Sequence, residues 1–142
     1  GVIMFDILPK NTTVTSEVYC DQIERLKVVL AERRPNLKRI IYHHDKAPAH
    51  RAKKSSDKLK DSGWEIMEHP PYSPDIAPSD YHLFSHLQRA IANNKFDTEE
   101  QIKSFLENFF DNQPPHFWSR GIKKLPERWE QVISNEGNYI LD

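Results

Sequence analysis

A chain of 142 residues with 37% hydrophobic content has room for one modest core, and nothing in it approaches the roughly 18 consecutive apolar residues of a membrane-spanning helix. Twenty Lys and Arg stand against 21 Asp and Glu, a net charge of −1, so affinity for nucleic acid has to come from local basic patches and not from the field of the whole chain. Cys20 is the single cysteine, which excludes an internal disulfide and a cysteine-built zinc cage. The opening residues carry no apolar leader pattern, and an intracellular, reducing setting is the expectation. The chain starts Gly1-Val2-Ile3-Met4, without an initiator Met, and enters a β-prone run at once, which reads as a piece of something longer.

In chain order, Val2 to Leu8 is apolar and β-prone and is closed by Pro9-Lys10-Asn11, which predicts a strand. Thr15 or Ser16 caps a helix whose apolar stripe is Tyr19, Ile23, Leu26 and Leu30, terminated at Pro35-Asn36. Lys38 to His44 is short, β-branched and aromatic, a second strand. It ends at Asp45, the position where α/β sheets place ligands. Ala47 to Asp61 reads as a helix with Pro48 in its first turn, Ala52 and Leu59 inward, basic outer faces and Gly63 as its stop. Trp64 to Glu68 is a third short strand.

Pro70, Pro71, Pro74 and Pro78 then stiffen an extended loop, because proline can neither continue a helix nor donate to a ladder. Ser79 caps a helix with Asp80 in its first turn and Leu83, Phe84, Leu87 and Ile91 on one face. Thr98-Glu99-Glu100-Gln101 is a capping box ahead of the amphipathic run Ile102, Phe105, Leu106, Phe109 and Phe110. A last helix spans Ile122 to Ile133 despite Pro126, with Trp118 and Trp129 as core aromatics. The order of strands and helices is that of an α/β fold with a parallel component.

Two stretches carry more than fold information. His43-His44-Asp45-Lys46-Ala47-Pro48-Ala49-His50, and then Pro70-Pro71-Tyr72-Ser73-Pro74-Asp75-Ile76-Ala77-Pro78-Ser79-Asp80-Tyr81-His82-Leu83-Phe84, resemble the catalytic core of a mariner-family transposase. Thirty-four residues separate Asp45 from Asp80, the spacing that marks that family. Phe117, Gly121-Ile122, Leu125, Arg128-Trp129 and Gly137-Asn138-Tyr139 resemble its C-terminal pattern, so the resemblance covers essentially the whole chain.

The resemblance implies an RNase H-like fold of three layers around a mixed sheet, with residues 1–142 as a partial catalytic domain whose last part is helical. Val2 to Leu8 corresponds to the third strand of that fold. The first two strands, the first catalytic aspartate and an N-terminal DNA-binding region are then expected to lie outside this chain. Asp45 and Asp80 match the second and third catalytic carboxylates, which with the first hold two divalent cations, Mg²⁺ or Mn²⁺, roughly 3.5–4 Å apart for phosphodiester cleavage and strand transfer. Two carboxylates alone bind metal weakly, and no strand transfer is expected from this chain by itself.

The resemblance further implies DNA partners, namely transposon ends and a TA target, together with homodimers, a nuclear location and no membrane. A domesticated or remnant module that binds DNA or protein without catalysis is the alternative. The chain departs from the family after Asp45, where Asn-Ala-Arg-Pro-His is replaced by Lys46-Ala47-Pro48-Ala49-His50. Lys46 either competes with a cation for the Asp45 carboxylate or points away to hold a DNA phosphate.

The remaining candidates each have a plainer reading. Lys46, Arg51, Lys53 and Lys54, with Lys58 and Lys60 beyond, form either a solvated helix face or a DNA track leaving the same strand end as Asp45. His50 either hydrogen-bonds near Asp45 or lies on a helix surface, and Tyr72 either meets DNA or packs. Asp75 is a turn residue. His43, His44 and His50 raise zinc, but neighbouring strand residues point to opposite faces, so His43 and His44 cannot easily share one ion.

Overall fold

The computed structural model describes residues 1–142, which form two compact units, residues 2–72 and residues 73–142 together with Gly1. No helix is long and apolar enough to cross a membrane.

In the first unit, α1 (Ser16–Arg33) starts where Thr15 accepts the Val18 N–H on its hydroxyl at 3.2 Å, with Glu17 in the first turn and Arg33 in the last, both suited to the helix dipole. Its inward face carries Tyr19 and Ile23, which with Leu59 make the core, and Tyr42 and Trp64 pack against it. Two parallel strands, β1 (Ile41–Tyr42) and β2 (Glu65–Ile66), pair Ile41 with Glu65 and Tyr42 with Ile66. Flanking bonds from the Glu65 N–H to Ile40 O and from the Met67 N–H to Tyr42 O extend the ladder by a residue at either end.

Two helices fill the crossover between the strands, α2 (Pro48–Arg51) and α3 (Lys53–Ser62), where the sequence predicts one. The break is at Ala52, which adopts an extended conformation. Just beyond it, the fully buried Ser55 donates its hydroxyl to Ala49 O at 2.5 Å, satisfying a carbonyl that a continuous helix would have used. Gly63 ends α3 at φ 74°, in the left-handed region where a Cβ is costly.

Val2 to Leu8 is not a strand. Its side chains are mostly half-buried, and Asp6 ties it to α1 through Arg25 and Gln22, but it joins no ladder, and β-propensity without a paired neighbour does not make a strand. The predicted strands over Lys38 to His44 and Trp64 to Glu68 shorten to two residues each for the same reason, since a two-stranded sheet pairs each strand on one edge only.

In the second unit, a 3₁₀ turn (Pro74–Ile76) leads into Ser79–Phe84, where the hydrogen bonds widen to π-helical spacing, and then into α4 (Ser85–Ile91). Ser85 N–H bonds back to Asp80 O, five residues earlier. The extra residue in this turn brings the neighbours Tyr81 and His82 both against α6 (Pro115–Lys123): the Tyr81 hydroxyl donates to Gly121 O at 2.6 Å, and His82 Nε2–H donates to Phe117 O at 2.7 Å. His82 is therefore buried and Phe84 is 54% exposed, the reverse of what an unbroken α-helical stripe predicts.

Ahead of α5 (Glu99–Asp111) the N-cap half of the capping box forms, with the Gln101 N–H donating to Thr98 Oγ1, while Gln101 Oε1 accepts from the Asp97 N–H and not from that of Thr98. The last predicted helix is in fact two, α6 and α7 (Leu125–Ser134), because Pro126 suits a first turn and not a helix interior. Trp129 is 39% exposed and not a core residue; the buried side chain at this point is Arg128. Its guanidinium lies 4.1 Å over the Tyr81 ring, donates to Asp75 O and grips the Asp142 carboxylate at 2.9 and 2.7 Å.

Candidate active site

Asp45 lies three residues beyond the C-terminal end of β1. Its Oδ1 accepts the Ala47 N–H at 2.9 Å and lies 2.6 Å from His50 Nδ1. Both contacts use one oxygen, which leaves Oδ2 uncommitted on a side chain that is 59% exposed. Partial burial pushes this carboxyl up, but the Ala47 N–H and the adjacent His50 outweigh it, and the group ends below its ordinary value. The carboxylate is ionised and half held, with one oxygen open.

Behind it lies an aromatic cluster. The Tyr19 hydroxyl is 2.6 Å from His44 Nδ1 and 3.0 Å from the Tyr42 hydroxyl, and the Tyr19 ring packs on His50 with centroids 4.2 Å apart. His44 and His50 stack at 5.2 Å. Burial, then the neighbouring His50, lowers the His44 pKa to about 4, so its imidazole is neutral at pH 7. Burial also raises Tyr19 and Tyr42.

His43 faces away from this cluster: its Nε2 lies 2.9 Å from Nδ1 of His69, which is buried. His43 and His44, which follow β1, are thus turned to different partners. No group of three His, Cys, Asp or Glu side chains gathers to hold a metal ion without further ligands.

Lys46 points toward Glu68, with Nζ 4.0 Å from Oε2, and not toward the Asp45 carboxylate. Arg51 ends α2, and Lys53 and Lys54 open α3, all three exposed, with Lys54 Nζ 3.6 Å from Glu17. Tyr72 is 88% exposed at φ 53°. His50 does not lie on an open helix surface; it is half-buried between Tyr19, His44 and Asp45.

Asp80 belongs to the second unit, in the first turn of the π-helical stretch. The Ser79 hydroxyl donates to its Oδ2 at 3.1 Å, which leaves Oδ1 uncommitted, and its backbone N–H is bonded to Ala77 O. Asp75 is occupied differently: its Oδ2 accepts the Ile140 N–H and its carbonyl accepts Arg128, so it pins the C-terminal segment. The aromatic cluster around His50 was partly legible, because the strand predicted over Lys38 to His44 puts Tyr42 and His44 on one face, but its third member, Tyr19, reads from sequence only as a core position.

Asp45 in the first unit and Asp80 in the second each present a hard carboxylate oxygen, a donor that suits Mg²⁺ or Mn²⁺ better than zinc. Each carboxylate by itself fits a divalent cation as one ligand among several, the others being water, nucleic-acid phosphate or a further carboxylate.

The model of the DDE superfamily endonucleases matches residues 7–103, and the chain belongs to that superfamily, with its RNase H-like fold. Within it the chain is a mariner-type catalytic domain. It is 40% identical over 144 residues to the Mariner Mos1 transposase of Drosophila mauritiana, covering 99% of this chain and 42% of that protein. It is also 33% identical to the human histone-lysine N-methyltransferase SETMAR, covering 21% of that protein. The chain thus spans less than half the length of these relatives. The structure of the Mos1 catalytic domain with raltegravir and Mn superposes with a TM-score of 0.96 at 40% identity, over 99% of this chain and 72% of that one. The Mos1 paired-end complex with Mn gives 0.96 at 41%, over 99% and 42%.

Proposed function

We propose that this chain supplies two of the metal-holding carboxylates, Asp45 and Asp80, of a mariner-type transposase that cuts and joins DNA, and that it carries out no strand transfer without a third. The observation that carries this reading is the state of Asp45. Its carboxylate is ionised, anchored through one oxygen and open at the other, three residues beyond the C-terminal end of a parallel strand inside the region matched to DDE endonucleases. When bound, Mg²⁺ or Mn²⁺ activates an attacking water or 3′-hydroxyl and stabilises the leaving oxygen of a phosphodiester. The chain's own part is to hold the Asp45 carboxylate ionised, to present Asp80 with one oxygen open, and to grip the backbone of the DNA.

Lys46, Arg51, Lys53, Lys54, His50 and Tyr72 are the proposed nucleic-acid contacts. The cations neutralise phosphates, and the exposed Tyr72 ring meets sugar or base. Transposon ends as substrate, TA targets, a homodimer and a nuclear location follow by analogy with the relatives, of which Mos1 forms a paired-end complex. A second reading, a binding module without catalysis, is favoured by one observation: the similar stretch in SETMAR is part of a protein named for different chemistry.

Titration of the chain with Mn²⁺, followed by calorimetry and by paramagnetic broadening of NMR signals, separates the two. Saturable binding that is lost in both Asp45→Ala and Asp80→Ala supports the catalytic lineage. Binding indifferent to both substitutions, or none at all, overturns it in favour of the module.

A further inference from the structure

We propose that Tyr19 is a positioning residue for the candidate site, fixing the His50 imidazole with its ring and, through His50, the orientation of the Asp45 carboxylate. The proposal rests on the reading of Asp45 as a metal ligand.

The reasoning starts from what Asp45 lacks. It follows a strand of two residues and its side chain is 59% exposed, so neither strand pairing nor burial selects its rotamer. The Ala47 N–H fixes one hydrogen bond to Oδ1, and His50 Nδ1, 2.6 Å from the same oxygen, supplies the other constraint. His50 sits on the four-residue helix α2, which is too short to be rigid alone, so the imidazole has to be held from outside. It is held by the Tyr19 ring at 4.2 Å and by the stacked His44 ring at 5.2 Å.

Tyr19 is the best anchored of these groups. It is 6% exposed, lies in the 18-residue α1 and belongs to the core with Ile23 and Leu59. Its hydroxyl bonds to both His44 and Tyr42. A phenol has one proton to give, so it donates one of these bonds and receives the other, and the ring is pinned in position and in rotation. The rigidity of the longest helix is thereby passed to an exposed carboxylate on a loop. This is the arrangement by which supporting residues orient ligands in metal sites, and their loss costs about 10- to 100-fold in metal affinity.

A merely structural Tyr19 would stabilise the fold and leave Asp45 untouched, so the test separates the two roles. Mn²⁺ affinity of the full chain is measured by calorimetry for Tyr19→Leu, His50→Ala, His50→Asn and Asp45→Ala, singly and with the first two combined with Asp45→Ala. The ¹⁵N signals of the His50 ring are recorded without metal. Tyr19→Leu and His50→Ala are each expected to weaken Mn²⁺ binding about 10-fold. His50→Asn, whose amide N–H takes the place of Nδ1–H, is expected to recover most of it, and neither loss should persist in the Asp45→Ala background. Tyr19→Leu should also abolish the single well-defined His50 tautomer.

Unchanged affinity and an unchanged His50 spectrum in Tyr19→Leu, with Asp45→Ala still abolishing binding, overturn the positioning role. So does a loss that persists when Asp45 is already absent. If Tyr19→Leu does not fold, His50→Ala against His50→Asn decides the His50 step, and Tyr19→Phe, which keeps the ring and frees its rotation, must blur the His50 signals or the proposal fails. If Asp45→Ala leaves Mn²⁺ binding intact, the reading of the site fails, and the His50 spectrum alone still judges the positioning.

Discussion

The acidic residues differ in what holds their oxygens. Asp45, Asp80 and Asp75 each have one carboxylate oxygen engaged and one open, but the Asp75 Oδ2 takes the Ile140 N–H and its backbone carbonyl takes Arg128, so Asp75 ties down the C-terminal segment. Asp6 is committed on both sides, with Oδ1 3.4 Å and Oδ2 2.5 Å from Arg25 and Oδ2 also 3.4 Å from Gln22. The Arg25 hydrogen bond, against a small opposing effect of burial, holds the Asp6 carboxyl below its ordinary value. A carboxyl lowered in the folded state stabilises the fold above its unfolded pKa of about 3.9 and loses that contribution as pH falls through the folded value. The pair is at the surface, so Asp6→Asn is expected to cost no more than about 1 kcal/mol at pH 6–7. Urea melts of the two proteins should converge as pH drops below about 4, and a difference that stays constant down to pH 2 would show that Asp6 acts by something other than its charge.

At the scale of elements, the sequence was most legible where a local signal and the tertiary outcome agree. Thr15 and Thr98 cap α1 and α5 through their own side chains, and the stripe of Tyr19 and Ile23 needed only the 3.6-residue period. Both aspartates stand out in the sequence because motif and spacing coincide. The losses all lie where partners distant in sequence decide: Val2 to Leu8 has no ladder to join, Ala52 breaks a helix because Ser55 claims the Ala49 carbonyl, and the widened turn at Ser79–Phe84 answers to α6.

Gly121 is the reason that turn fits. A Cβ placed there would lie 2.5 Å from Cδ2 of His82, whose ring is fixed by its bond to Phe117 O, so the neighbour cannot swing away cheaply. Gly121→Ala gains helix propensity on α6 yet is expected to destabilise the chain by about 1–3 kcal/mol, as overpacking does. Thermal melts of Gly121→Ala alone and combined with His82→Ala test this. The combination should remove the clash, so its loss should fall short of the sum of the two single losses.

For the whole molecule, the charge balance of −1 means that DNA binding, where it occurs, is local, and its salt dependence measures how local. Each phosphate neutralised on duplex DNA contributes about −0.9 to the slope of log K against log salt, so contacts from Lys46, Arg51, Lys53 and Lys54 together give about −3.6. The four are not equivalent. Lys46 and Lys54 already lie near Glu68 and Glu17, at 4.0 and 3.6 Å, and have to give up those pairs to reach a phosphate. Such exposed pairs are worth up to about 1 kcal/mol, so their net gain is the smaller. Arg51→Gln and Lys53→Gln are therefore expected to weaken binding more than Lys46→Gln or Lys54→Gln, each reducing the slope by about 0.9, while Lys10→Gln changes neither. Fluorescence anisotropy with labelled duplex between about 50 and 200 mM salt reads both quantities. A slope near zero, or equal losses at Lys10 and Lys53, would place the DNA contact elsewhere on the chain and remove the basic run from the site.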